Sequence, residues 1–325
     1  MAGGSVLKAR GYLRHFLAAA GAAWLITPTA HADDAATAAQ PAAALTQAQS
    51  PDEAEDGASS TASASSDGDG SCAFNPIPDS RMRSFDTDRP TKSNIPYTVD
   101  CGHFQYETDV FNYSYQVEGT TRTDVLLVPN PTVKWGITGN ADFELNIAPY
   151  ELVTTKDLRT GRSTSISGLG DLYARVKVNL WGDNGGSTAM ALIPYIKAPT
   201  APVGVGNGEV EGGLIAPISV GLPGSFTLLF DPELDILKDN AGSGHHANVA
   251  NLINLSRGVT ASVTAYLEYW YDVNADPQGT AHQSSVDWAV AWLARQNLQL
   301  DVGLNTGLNH ATPSYQVYVG VSQRF

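Results

Sequence analysis

His245, His246, His282 and His310 fall in polar stretches crowded with serines and acids, the materials from which a hydrolase is made. Nucleophilic catalysis needs a base held against the nucleophile, and no spacing in the chain ties these residues into such a set. An enzyme is therefore not expected. The His245-His246 pair offers too few donors for a metal and reads as a solvated loop, so neither a metal site nor a cofactor is expected. Gly204, Gly206 and Gly208 copy the composition of a phosphate loop without the strand-loop-helix context that would make it work. Cys72 and Cys101 lack CxxC spacing and a neighbouring His pair, which sets metal and redox roles aside. In an oxidising compartment they suit a disulfide that closes a loop of about 30 residues, worth ~3–4 kcal/mol in the chain-entropy picture.

The remaining candidates are charges that recur at alternate positions with apolar residues between them. Along 171–181, Leu172, Ala174, Val176, Val178 and Leu180 alternate with Asp171, Tyr173, Arg175, Lys177 and Asn179. A period of two is a strand with one apolar and one polar face. The same design recurs at 259–271, at 298–308 and at 314–325, where the chain ends on Phe325. Weaker segments at 104–115, 125–137, 141–152, 188–198, 210–222, 226–237, 247–256 and 284–294 bring the total to about twelve. Pro129, Pro131, Pro194 and Pro217 fall inside segments and predict bulges or strand ends. Tight turns, as at Arg257-Gly258 and 295–297, alternate with longer polar loops at 154–167, 199–208, 238–246 and 274–283.

An even number of strands of about ten residues, with short turns at one end and long loops at the other, predicts an all-β antiparallel barrel in a bacterial outer membrane. Closed barrels satisfy every backbone group in hydrocarbon, and the apolar faces then meet the lipid bilayer. Tyr150, Trp181, Tyr269, Tyr271, Trp288 and Trp292 lie near segment ends, where interfacial girdles need aromatics. Inside such a barrel the polar faces line the lumen. They carry Glu107, Asp109, Lys134, Glu144, Asp171, Arg175, Lys177, Lys197, Asp231, Glu233, Asp235, Glu268, Asp287, Asp301 and Arg324. Two readings stand for this set: rings of charge that select solutes, or ion pairs that fill a lumen midway between packed eight-stranded and open sixteen-stranded barrels.

The N-terminal third is built differently. Lys8, Arg10 and Arg14 precede an apolar stretch at 16–26, and Ala30-His31-Ala32 ends it as an export signal ends, so residues 1–32 read as a signal peptide. Nowhere downstream do about 18 apolar residues run together, so no transmembrane helix is expected. Residues 33–71 hold eight acids and no Lys or Arg. Such a segment cannot bury enough apolar surface to order itself, and it reads as a disordered leader. Residues 72–101 form an irregular segment, a candidate plug, in which Arg89 either pairs with lumen acids or lies on the surface; the barrel follows at 102–325. Without signal peptide and leader, 16 basic residues face 25 acidic ones, which disfavours nucleic acid as a partner.

Local motifs resemble one family. Phe85-Asp86-Thr87-Asp88-Arg89-Pro90, Gly102-His103-Phe104-Gln105-Tyr106-Glu107, Gly168-Leu169-Gly170-Asp171-Leu172, Lys197-Ala198-Pro199-Thr200 and the last two strands from Asn297 are similar to outer-membrane transporters assigned to the meta-pathway of phenol degradation. The resemblance covers roughly 83–325. It implies an outer-membrane barrel that passes small, often aromatic, compounds by passive diffusion. The terminal Phe325 resembles the assembly signal of bacterial barrels, which implies the barrel assembly machinery as a partner; Gln323 departs from that pattern. A non-transporting structural barrel is the alternative that the sequence leaves open.

Overall fold

A computed structural model describes residues 72–325; the expected signal peptide and the acidic leader lie outside the described residues. Sixteen strands form one sheet. They are β1 (Phe104–Glu118), β2 (Thr121–Leu127), β3 (Asn130–Gly136), β4 (Ala141–Asn146), β5 (Glu151–Asp157), β6 (Ser163–Gly168), β7 (Leu172–Trp181) and β8 (Thr188–Ala198) in the first half. The second half holds β9 (Glu211–Ile215), β10 (Ile218–Leu222), β11 (Phe226–Lys238), β12 (His245–Gly258), β13 (Val263–Asn274), β14 (Ala281–Arg295), β15 (Leu298–Gly307) and β16 (Tyr315–Arg324). All ladders are antiparallel, and β1 pairs with β16 from Gln105↔Arg324 to Tyr115↔Tyr315, which closes the sheet.

The sixteen strands make twelve staves, because four staves are broken once each. β2 and β3 pair with the upper and lower halves of β1, and the break falls at Val128-Pro129. β9 and β10 share β8 and β11 as neighbours, with Ala216-Pro217 between them. A proline has no N–H for the ladder, so it interrupts a stave without ending it. Pro131 and Pro194 stay within strands, opposite Thr108 and Leu214. β4 with β5, and β6 with β7, break at the same height as each other, and the two ladders continue in register on either side.

Burial follows the lipid arrangement. On β15, Leu300, Val302 and Leu304 are 40%, 52% and 40% exposed, while Asp301 and Asn305 are 5% and 4% exposed. An apolar outer face around a polar interior is the inverse of a soluble fold, and a bilayer is the medium that stabilises it. Phe104 stacks on Trp135 at 5.6 Å and Trp181 lies exposed, so aromatics gather at the end where the chain enters and leaves the barrel.

Several boundaries differ from the sequence reading, among them the 274–283 loop, from which Ala281, His282 and Gln283 pass into β14. The stretch 154–167, expected as a loop, is mostly strand: β5 and β6 extend to a short turn at 158–162. Arg257 and Gly258 end β12, and the turn is 259–262, so β13 starts at Val263 rather than Val259. His245 and His246 open β12 instead of sitting in the loop.

Candidate transport pathway

The segment before β1 enters the barrel from the end that holds both Phe104 and Phe325. Cys72 and Cys101 are disulfide-bonded, with Cα atoms 5.7 Å apart, so the segment between them is a closed loop anchored at that end. The His103 ring lies 2.8 Å from the main-chain oxygens of Phe325 and Ile77, and joins the loop's base to the chain terminus. Strand alternation points polar side chains inward from every stave, and the loop meets them one after another.

Near the base, Asp100 takes Arg83 and Arg324, each at 2.9 Å. Higher up, the Arg89 guanidinium bridges Asp109 at 2.5 Å and Asp301 at 2.6 Å. On the opposite side Asp88 takes the ammonium groups of Lys134 and Lys177, the latter at 2.8 Å; Lys134 also reaches Glu107 at 2.6 Å and Glu144 at 3.6 Å. At the tip, Lys92 pairs with Asp287 at 3.0 Å, and the main-chain N–H groups of Lys92 and Ser93 donate to Glu268 at 3.0 and 3.2 Å. The N–H of Asn94 donates to Asp231 at 2.7 Å. Burial works against the charge on Asp88, but the Lys134 and Lys177 ammonium groups outweigh it and hold its carboxyl well below the ordinary range. Burial likewise opposes the Arg89 charge, and Asp109 and Asp301 overcome it and raise the guanidinium. Lys92 is lowered by burial, which Asp287 and Glu268 offset only in part.

Above the tip a cavity of about 320 Å³ remains, lined among others by Asn94, Tyr173, Arg175, Tyr195, Trp270 and Asp272. Its charged lining is six carboxylates (Glu151, Asp171, Glu211, Glu233, Asp235 and Asp272) against Lys92, Arg175 and Lys197. Lys197 is held by Glu211 at 2.6 Å and Asp171 at 3.3 Å. Arg175 differs. Its guanidinium lies 5.9 Å from the ring centres of both Tyr173 and Tyr195, and among the described residues no carboxylate approaches it within ion-pair distance. A second cavity of about 130 Å³ runs between the loop and the wall at Glu107, Asp109 and Lys134, and Arg175 lines both. The route through the barrel is thus narrowed by the loop and passes Arg175.

Every charged position read from the alternation lies on the inward face. Glu107, Lys134, Glu144, Lys177, Asp231, Glu268, Asp287, Asp301 and Arg324 contact the loop or its partners, while Asp171, Arg175, Lys197, Glu233 and Asp235 line the cavity. Sequence reasoning missed Asp142, Glu151, Glu211 and Asp272, all inward and buried. The signal for Asp142 and Asp272 was present, since each continues the parity of Glu144 or Glu268. Glu151 opens a strand next to a break and Glu211 opens one directly after the 199–210 loop, where parity has no anchor. Asp183, in a turn, was also missed: its carboxylate takes Arg83 at 2.5 Å and the Thr98 main chain at 3.0 Å.

A closed twelve-staved barrel with an apolar exterior, a charged lumen and a loop folded into it defines an outer-membrane channel. Residues 87–325 match the family described as "Putative MetA-pathway of phenol degradation", and the chain belongs to that family. Among curated proteins nothing matches. Of the solved structures, the COG4313 outer membrane channel from Pseudomonas putida F1 is similar at 12% identity and a TM-score of 0.55, over 74% of this chain and 100% of that one. The NanC porin follows at 9% identity and a TM-score of 0.43, over 67% of this chain and 98% of that one. The CymD monoaromatic hydrocarbon channel has 11% identity and a TM-score of 0.40, over 69% of this chain and 88% of that one.

Proposed function

We propose that the protein passes small aromatic or otherwise hydrophobic compounds across the outer membrane by passive diffusion, and that its lumen favours cations over anions. The observation that carries this reading is the cavity above the loop tip, about 320 Å³ with two tyrosines, a tryptophan and an acidic majority. That volume is at the lower end of small-molecule pockets and suits a single-ring solute. The family description points to phenol degradation as the setting for such a solute. A ring of excess carboxylates in a narrow, low-dielectric passage raises the local concentration of cations. No catalysis is part of this reading, since transport needs only a path and a selectivity.

The rival reading, a non-transporting structural barrel, takes the ion pairs between the loop and the wall as packing alone. Conductance in planar bilayers and solute flux in proteoliposomes separate the two. Flux of phenol-sized solutes above protein-free vesicles is the expected result. No conductance and no flux leave the structural barrel as the answer.

A further inference from the structure

The rim opposite Phe104 and Phe325 carries a cluster that the lumen does not use. Asp239 follows β11, His246 is the second residue of β12, and Asp276 follows β13. The Nδ1 of His246 lies 2.9 Å from Oδ1 of Asp239 and 3.7 Å from Oδ2 of Asp276. The three donor atoms all lie within 4.8 Å of one another. Their side chains are only 13%, 5% and 3% exposed for Asp239, His246 and Asp276 respectively.

Charge bookkeeping makes this cluster unusual. Among the described residues, no Lys or Arg nitrogen pairs with either carboxylate. Lys238, the cation next in sequence, turns away and donates to the main-chain oxygens of Asp239 and Gly242 at 3.3 and 2.6 Å. Even a protonated imidazole would therefore leave one negative charge uncompensated in a largely buried site, which is costly. The acids are nevertheless fixed in place. The main-chain N–H groups of Asn240 and Gln278 donate to the two oxygens of Asp276 at 2.8 and 2.7 Å and fix the orientation of its carboxyl group.

The geometry points to a divalent transition-metal site at which Asp239, His246 and Asp276 supply three ligands and water completes the shell. One imidazole nitrogen with two carboxylate oxygens is a borderline donor set that suits Zn²⁺ better than Ca²⁺ or Mg²⁺, which take oxygen ligands alone. A cation bound at Nδ1 leaves the neutral imidazole with its one proton on Nε2, and its two positive charges offset the two carboxylates. It also clasps the 239–244 loop to the 275–280 loop, beside the mouth of the cavity that Asp272 and Asn248 line. The sequence reading placed His245 and His246 together as a solvated pair. Strand alternation separates them, leaving His245 exposed and turning His246 inward.

The test is calorimetric titration of zinc chloride into full-length protein in detergent micelles. One saturable site is expected in the wild type and in His245→Ala, which controls for adventitious surface binding. At least a tenfold loss of affinity is expected in His246→Ala and in Asp276→Asn, each checked for heat-modifiable migration as a sign of a formed barrel. If His246→Ala fails to fold, Asp239→Asn carries the same expectation. Zn²⁺ should also raise the thermal transition of wild type and His245→Ala, but not that of the weakened variants. Absent wild-type binding, an unchanged isotherm in the folded His246 and Asp276 variants, or an equal loss in His245→Ala would overturn the site.

Discussion

Arg89 and Gly320 show how a single contact seats the loop. A Cβ on Gly320 would fall 2.0 Å from an Arg89 guanidinium nitrogen, so this inward position of β16 is kept bare for the arginine to pass. Arg89→Ala leaves Asp109 and Asp301 buried without their cation, a change that costs about 3–5 kcal/mol when a buried pair is broken. That cost falls on docking of the loop more than on the barrel, whose ladders do not include Arg89. Both Arg89→Ala and Gly320→Ala should therefore raise conductance and expose residues 83–99 to protease while heat-modifiable migration persists; unchanged conductance and protection in both would contradict this role. The sequence showed Gly320 as an inward residue but not why it is glycine, because its partner lies some two hundred residues earlier. Asp88 adds a pH expectation. Its folded carboxyl titrates below the unfolded value of about 3.9, so its ion pairs contribute fully above that pH and are lost only as pH falls through the lowered folded value. Asp86, raised chiefly by burial, works in the opposite direction, because protonation relieves its buried charge and favours docking on acidification. Protease protection of the loop should therefore persist from pH 7 to pH 5, and release within that window would show that other groups govern docking.

At the scale of elements, the strands whose alternation is continuous were legible, and those that leave the membrane zone were not. β7 and β15 follow the residues expected of them because lipid on one side and charge on the other impose a strict period of two. β6, Ser163–Gly168, reads as a loop because Ser163, Thr164, Ser165 and Ser167 make both faces polar. It is a strand all the same, held by its ladder to β5 and by Ile166 packed on Val125 and Val153. Prolines marked the breaks without hiding the staves: one split at Pro129 or Pro217 still reads as a single segment with a proline inside it, since the ladder resumes in the same parity after the break. The inserted loop gave no periodic signal at all, and only its motif and its two cysteines marked it. The disulfide sets its reach, because Cys72 and Cys101 hold both ends at one mouth and leave the tip to rise between the walls. Peptide mapping of the exported protein without reductant should recover Cys72 linked to Cys101. Two free thiols would show that ion pairs alone hold the loop.

For the whole molecule, closure and selectivity are separate questions, and each has its own experiment. Closure depends on β1 meeting β16, and Phe325 completes that seam: its N–H donates to the Phe104 oxygen at 2.8 Å, and its ring stacks on Tyr106 at 5.9 Å. Deleting Phe325 removes both contacts and is expected to reduce the heat-modifiable, membrane-inserted fraction severalfold; normal insertion of the truncated chain would sink the assembly role. Selectivity depends on which lumen charges remain uncompensated. Lys177 is bound to Asp88 and Lys197 to Glu211 and Asp171, so neither offers its charge to a passing ion, whereas Arg175 faces both cavities between two tyrosine rings. Replacing Lys177 would also unlatch the loop and blur the result, so Arg175→Ala is the cleaner probe. With six carboxylates against three cations around the cavity, reversal potentials under a salt gradient should show cation preference in the wild type. Removing Arg175 deletes the one cation there that, among the described residues, has no ion pair, and the preference should strengthen. If the wild type instead prefers anions and Arg175→Ala abolishes that preference, the guanidinium outweighs the carboxylates around it, and the channel is built for anionic solutes.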